Sequence, residues 1–365
     1  MKTMKKILMT VLIVVLSLSL HAQKNKNFAV LAYYTGDDKQ IDNFEVEKLT
    51  HIIYSFCHLK DGKLNVDNAN DSITIKHLVS LKARNPKLKI MLSLGGWGGC
   101  PSCSEVFSTA DGRAIFAKSV KEVNDYFKTD GLDLDWEYPT IEGYPGHLYQ
   151  TVDKKNFTEL VKVLRAELGK SNELSFAAGG FQKYMDESVE WKLIMPLLDR
   201  VNIMSYDLVN GYSKVTGHHT PLFSSNTNEE STDRAVKYLL KLGIPSHKIV
   251  IGSAFYTRTW KDVADVNNGL YQSGTPTGGV SFKDFKDTLT EANGWKYFWD
   301  EKASAPYWYN QKEQKFATSD DIASVKVKTS YVIKKKLGGI MFWELTLDST
   351  KDGLVNAIYE LKTKK

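Results

Sequence analysis

The sequence predicts an α/β chain folded as a (β/α)8 barrel with a small α+β insertion after its seventh strand. Eight short apolar runs of strand type recur along it, stretches of helical periodicity separate most of them, and one interval breaks that rhythm. Strands alternating with helices imply parallel pairing through crossovers, and eight such units close into a barrel whose functional residues gather at the carboxyl ends of the strands.

The strand-like runs are 28–34 (FAVLAYY), 49–57 (LTHIIYSFC), 88–96 (LKIMLSLGG), 131–138 (GLDLDWEY), 174–180 (LSFAAGG), 200–208 (RVNIMSYDL), 248–256 (KIVIGSAFY) and 338–345 (GGIMFWEL). Between them, apolar residues return at helical spacing over 72–84, 111–128, 153–169, 187–198, 229–243, 319–336 and 352–362. Residues 260–318 instead alternate aromatics with turn residues, as in GLYQSGTPTGG and WKYFWDEKASAPYWYN, which reads as a β-rich insertion between strand seven and its helix. Insertions after barrel strands sit at the catalytic face. Trp295, Trp299 and Trp308 are expected to form the insertion's own core. Residues 23–365 are thus expected to form one barrel with its insertion, and no separate carbohydrate-binding module is expected within them.

The first 22 residues read differently. Lys2, Lys5 and Lys6 precede an apolar run from Ile7 to Leu20, and the small residue Ala22 follows. This is the pattern of a secretory signal peptide cleaved near Ala22, and the run is shorter than the roughly 20 residues of a spanning helix. A secreted or periplasmic protein, free of the membrane after cleavage and monomeric, is the expectation. The formal net charge is +5, and the leader removes three lysines and no acids, which takes the mature chain to +2. That balance implies no nucleic-acid partner, and the run Lys334 to Lys336 reads as a solvated helix end. Of the three cysteines, Cys100 and Cys103 have the spacing of a redox or metal pair, yet no second pair completes a metal site. A local disulfide is favoured; a bridge to Cys57, or free thiols, are the alternatives.

The strand DGLDLDWEYP at 130–139 carries the chemistry. Residues two apart on a strand share a face at a spacing of roughly 6.5–7 Å, so Asp133, Asp135 and Glu137 line one side, and Leu132, Leu134 and Trp136 the other. In a barrel the apolar side meets the helices and the acids point inward. Three unpaired buried anions would be prohibitively costly, so they must share protons and hydrogen bonds. Glu137, at the carboxyl end, should have a raised pKa and serve as a general acid. Asp130 is off that period and is expected to hold the turn. A solvent-facing strand with merely solubilising acids is the bland alternative, but acids are depleted in strands.

These residues resemble the D-x-x-D-x-D-x-E signature of the family 18 glycoside hydrolases, the chitinases. SLGGW (93–97) resembles the family's motif after strand three, MSYD (204–207) its strand-six motif, FYTRTW (255–260) its strand-seven ending and GGIMFWEL its strand eight. The resemblance implies hydrolysis of β-1,4 linkages between N-acetylglucosamine units in chitin or its oligosaccharides, with retention and with no metal or organic cofactor. The substrate's own 2-acetamido oxygen is the implied nucleophile, an exception to the usual two-carboxylate scheme. Glu137 is then the acid and base, Asp135 orients the acetamido group, Asp133 shares a proton with Asp135, and Tyr206 holds the acetamido oxygen. Asp207 is expected to contact the sugar at the cleavage point, and Trp343 to form the floor beneath it.

Tyr33 and Trp97 are weaker candidates for stacking on sugars, and Met204 for lining the site. Arg258 is placed either on substrate hydroxyls or on Asp207. Ser93 is expected to bond the acid strand from beside it, and Gly95 and Gly96 to permit a tight turn. Two rival readings remain: an endo-β-N-acetylglucosaminidase acting on N-glycans, and a non-catalytic chitinase-like lectin. The presence of Glu137 weighs against the lectin.

Overall fold

The computed structural model describes residues 28–227 and 229–363; the expected leader and its cleavage point at Ala22 lie outside them. Fourteen strands are described: β1 (Ala29–Tyr34), β2 (His51–Lys60), β3 (Lys63–Asn65), β4 (Lys89–Gly95), β5 (Gly131–Asp135), β6 (Glu173–Gly179), β7 (Arg200–Met204), β8 (Ile249–Ala254), β9 (Arg258–Lys261), β10 (Thr275–Gly278), β11 (Trp295–Asp300), β12 (Ala305–Asn310), β13 (Lys315–Thr318) and β14 (Gly339–Trp343). The helices are α1 (Ala69–Ser80), α2 (Cys103–Phe107), α3 (Ala110–Phe127), α4 (Asp153–Leu168), α5 (Gln182–Glu187), α6 (Trp191–Ile194), α7 (Thr232–Lys241), α8 (Phe285–Thr288), α9 (Ile322–Lys335) and α10 (Leu354–Thr363).

Strands β1, β2, β4, β5, β6, β7, β8 and β14 pair in parallel in the order β1-β14-β8-β7-β6-β5-β4-β2, and a β1–β2 pairing closes the ring. The result is a (β/α)8, or TIM, barrel. Alternation along each strand separates two cores. Ile52, Ile90, Leu132, Leu134, Phe176 and Ile251 point outward into the layer shared with the helices. Leu31, Ile53, Met91, Ala177, Val250 and Met341 fill the interior. The lower end is closed by charge: the Glu173 carboxylate accepts from His51 at 2.9 Å, and lies against Lys89 and Arg200.

Two elements differ from the pattern-based expectation. The acid strand ends at Asp135, where its ladder with Gly95 stops, so Glu137 and Tyr138 leave the sheet. The helical pattern expected at 187–198 holds only the short α6 (Trp191–Ile194), with α5 ending at Glu187. The Trp191 indole N–H donates to the Met185 carbonyl at 2.7 Å, tying α6 back to α5, and Pro196 disfavours a longer α6.

Between β8 and α9, strands β9 to β13 form an antiparallel sheet in the order β10-β9-β13-β12-β11. Trp260, Tyr307, Tyr309 and Phe316 pack on one face, and Phe285, Leu289 and Trp308 on the other with Trp295 beside them. Trp299 is half-buried. A fully buried ion pair, Lys328 Nζ to Asp320 Oδ2 at 2.7 Å, fastens α9 beneath this sheet. The same carboxyl oxygen accepts from Thr220 Oγ1 at 3.2 Å and from the backbone N–H of Ala254, the last residue of β8, at 3.0 Å.

Candidate active site

Strand register brings the acids together with their donors. Ser93, Asp133 and Ser175 lie side by side on β4, β5 and β6, all facing inward. Asp133 is 0% exposed. Its Oδ2 accepts from Tyr33 Oη at 2.8 Å and Ser93 Oγ at 3.3 Å, and its Oδ1 from Ser175 Oγ at 2.5 Å and Asn202 Nδ2 at 3.0 Å. Burial raises its pKa and these four donors pull the other way.

Asp135, one layer higher, is 3% exposed, and its Oδ1 has no hydrogen-bond partner. Burial pushes its carboxyl well above the ordinary range, and the charges of Glu137 and Asp133 push in the same direction. Both Asp133 oxygens accept from neutral donors, whereas Asp135 Oδ1 accepts from none. Glu137 stands beyond the strand end, partly exposed at the barrel mouth. Burial lifts it to about 7 against a hydrogen bond with Tyr138, with the negative charge of Asp207 adding to the rise.

Asp207 adopts a left-handed backbone with φ of +54°. Its carboxylate receives Arg258 Nε and Nη2 at 2.6 Å each and Tyr256 Oη at 2.8 Å, and the buried His219 Nδ1 lies 3.4 Å away. Burial would raise this acid, but the hydrogen bonds from Arg258 and His219 win and hold it below the usual carboxylate range. Of the two positions open to Arg258, the structure thus places it on Asp207. Tyr206 points into the mouth with its hydroxyl 3.8 Å from Met341 Sδ. It fits only because residue 252 is glycine, where a Cβ would fall 2.8 Å from the Tyr206 ring.

Trp343, the last residue of β14, stacks on Phe56 with ring centroids 5.5 Å apart and lies 5.9 Å from Tyr33. Tyr33 is a correction. It is 1% exposed and spends its hydroxyl on Asp133, so it offers no face for a sugar. Met204 packs inside the barrel with Tyr206. Trp97 is 46% exposed, ringed by Tyr138, Tyr144 and Tyr212 at 6.4, 5.6 and 6.3 Å. Asp130 accepts from the Ile90 N–H and pairs with Lys82, below the site. Gly95 and Gly96 carry φ of +109° and +79°, turning the chain beside Asp135.

Sequence reasoning passes over Ser175, Tyr138, Tyr256, His219 and Phe56. Ser175, like Asn202, is a polar residue at inward parity within an apolar run, which is a usable signal. Tyr138, Tyr256 and His219 lie past strand ends, where parity says nothing, and Phe56 falls where the β2–β4 register shifts between Tyr54 and Cys57. Cys100 and Cys103 form a disulfide and Cys57 is a buried free thiol, as the local reading expects. Among the described residues, no helix is long and apolar enough to cross a membrane.

The arrangement sets one titrating acid at the mouth above two buried carboxyls, the nearer with an unused acceptor. The family model of glycosyl hydrolases family 18 matches residues 29–348. Chitinase A1 of Niallia circulans is 35% identical over 303 residues, 76% of this chain but 43% of that protein, so the chain spans less than half its length. Chitotriosidase-1 of Mus musculus is 34% identical over 84% of this chain and 68% of its own. Among solved structures, a family 18 N-acetylglucosaminidase from Paenibacillus barengoltzii superposes with a TM-score of 0.83 at 36% identity, covering 92% of this chain and 99% of that one.

Proposed function

Because the chain belongs to glycoside hydrolase family 18, we propose that it is a chitinase, cleaving β-1,4 linkages between N-acetylglucosamine units with Glu137 as acid and base. The observation that carries the reading is the unpartnered Asp135 Oδ1, a buried acceptor between Asp133 and Glu137. It suits the N–H of a 2-acetamido group, which would leave the amide oxygen aimed at the anomeric carbon. That oxygen forms a bond to the carbon as the glycosidic C–O bond breaks, and Glu137 gives its proton to the departing oxygen. Water then attacks the cyclic cation while Glu137 takes back a proton, and the configuration is retained. Asp135 holds the acetamido N–H, Tyr206 donates to the acetamido oxygen, and Trp343 supports the ring. Burial holds the proton on Glu137 up to about pH 7, and the charge of Asp207, held ionised by Arg258, adds to that rise.

The test is release of chromophore from a chromogenic N,N′-diacetylchitobioside by wild type and by Glu137→Gln. The variant should lose about 10²–10⁴-fold in kcat with little change in oligosaccharide binding. Near-full turnover in the variant would sink the role of Glu137. Binding without turnover in wild type would favour the lectin reading, and activity on N-glycans alone the endo-β-N-acetylglucosaminidase.

A second reading, release of single N-acetylglucosamine units, is favoured by the near full-length match to the Paenibacillus N-acetylglucosaminidase. Products from chitohexaose decide it: monomer from the first minutes, or shorter oligomers. Export as a monomer, cut near Ala22, belongs to the same proposal, and the amino-terminal sequence and mass of the secreted protein test it.

A further inference from the structure

Trp97 stands on a glycine-rich turn closed by the Gly99 N–H, which donates to the Gly96 carbonyl at 2.9 Å. Gly95, Gly96 and Gly98 all have positive φ, and a Cβ at Gly99 would lie 1.8 Å from the Gly95 carbonyl oxygen. A run of glycines has the widest conformational freedom of any sequence unless something constrains it. At its near end the Gly96 N–H donates to the Asp135 carbonyl at 2.8 Å. At its far end stands the Cys100–Cys103 disulfide, and Cys103 begins α2.

The next residue extends the tie. Ser104 Oγ donates to the buried Asp153 carboxylate at 2.9 Å and accepts from Gln150 Nε2 at 2.9 Å. The Gln150 N–H also donates to Asp153, at 2.7 Å. Gln150 ends the loop that runs on from Glu137 and carries Tyr144, whose ring meets Trp97 edge-on. One connection therefore anchors both loops that bring aromatic rings to this side of the mouth.

We infer that the Cys100–Cys103 disulfide is a positioning device that holds Trp97 against Tyr144 as one wall for sugar units beyond the one at the cleavage point. It thereby sets the preference for long over short oligosaccharides. A bridge across so few residues removes far less unfolded-chain entropy than one closing a long loop, so its main effect is local. The inference rests on the proposed action on β-1,4-linked N-acetylglucosamine chains.

The experiment compares wild type, Cys100→Ser/Cys103→Ser, Trp97→Ala and the triple variant on chitotriose and chitohexaose, with KM and kcat separated. The cysteine variant should lose about three- to tenfold in kcat/KM on the hexamer, through KM, and less than about twofold on the trimer. The triple variant should be no worse than Trp97→Ala, since the bridge acts through that ring. Equal losses on both substrates, losses carried by kcat, or losses that multiply in the triple variant would overturn it. If the cysteine variant fails to fold, gentle reduction of the folded wild type, with released thiols counted, makes the same comparison. If wild type cleaves neither oligomer, the proposed function fails. Calorimetric affinities of the four proteins for chitohexaose then test the wall separately, with equal affinities as the overturning result.

Discussion

Glu137 can donate a proton only while it holds one, and its pKa of about 7 places the loss of activity on the alkaline side. The acid form dominates below that value, so kcat should fall as pH rises through it, with a limiting slope of tenfold per unit. Asp207→Asn removes a negative charge that lifts Glu137 and leaves Arg258 unneutralised. Both changes favour ionised Glu137, so the alkaline limb should move to lower pH, which a kcat profile for the variant reads directly. An unmoved limb would mean that burial alone sets the value. At this scale the carboxylates were legible, because alternation fixes which residues share a face. The Asp207–Arg258 pairing was left open in the sequence, since residues so far apart in the chain meet only through the order of strands.

At the scale of elements, the tie between α9 and the barrel depends on a lysine with no access to solvent. Lys328→Met would strand the Asp320 carboxylate in the interior with three neutral donors in place of a cation. The expected cost is about 3–5 kcal/mol of unfolding free energy, measured by urea denaturation. Lys328→Met with Asp320→Asn should recover part of it, because no buried charge remains. A single variant as stable as wild type would show that the pair is dispensable. The helix around Lys328 was visible in the sequence to within a few residues. Its partner was not: the two residues are one member of a cap sequence and one apparent surface lysine, and only packing makes them meet.

For the whole molecule, charge gives no reason for long-range steering. A formal net charge of +5 over the full chain and an uncharged polysaccharide imply that kcat/KM on chitin oligomers should vary less than about twofold between 0.05 and 0.5 M salt. A steep fall across that range would point to an anionic substrate and against the proposed one. Assembly of the barrel itself was legible because it follows from the count and alternation of elements. The five-stranded sheet at β9 to β13 was legible only as β-rich, since its order is set by pairings between segments distant in sequence.

The sequence by itself determined the barrel, the inward acids, the sharp glycine turn after the third barrel strand and the family, all of which depend on local period and short motifs. The tertiary structure decided what each acid does. It surrounded Asp133 with four donors, left Asp135 with an unused acceptor, neutralised Asp207 and turned Tyr33 from a sugar platform into a hydrogen-bond donor. The physical reason is that a carboxyl's protonation depends on solvent access and on groups within a few ångströms, and those neighbours come from strands far apart along the chain.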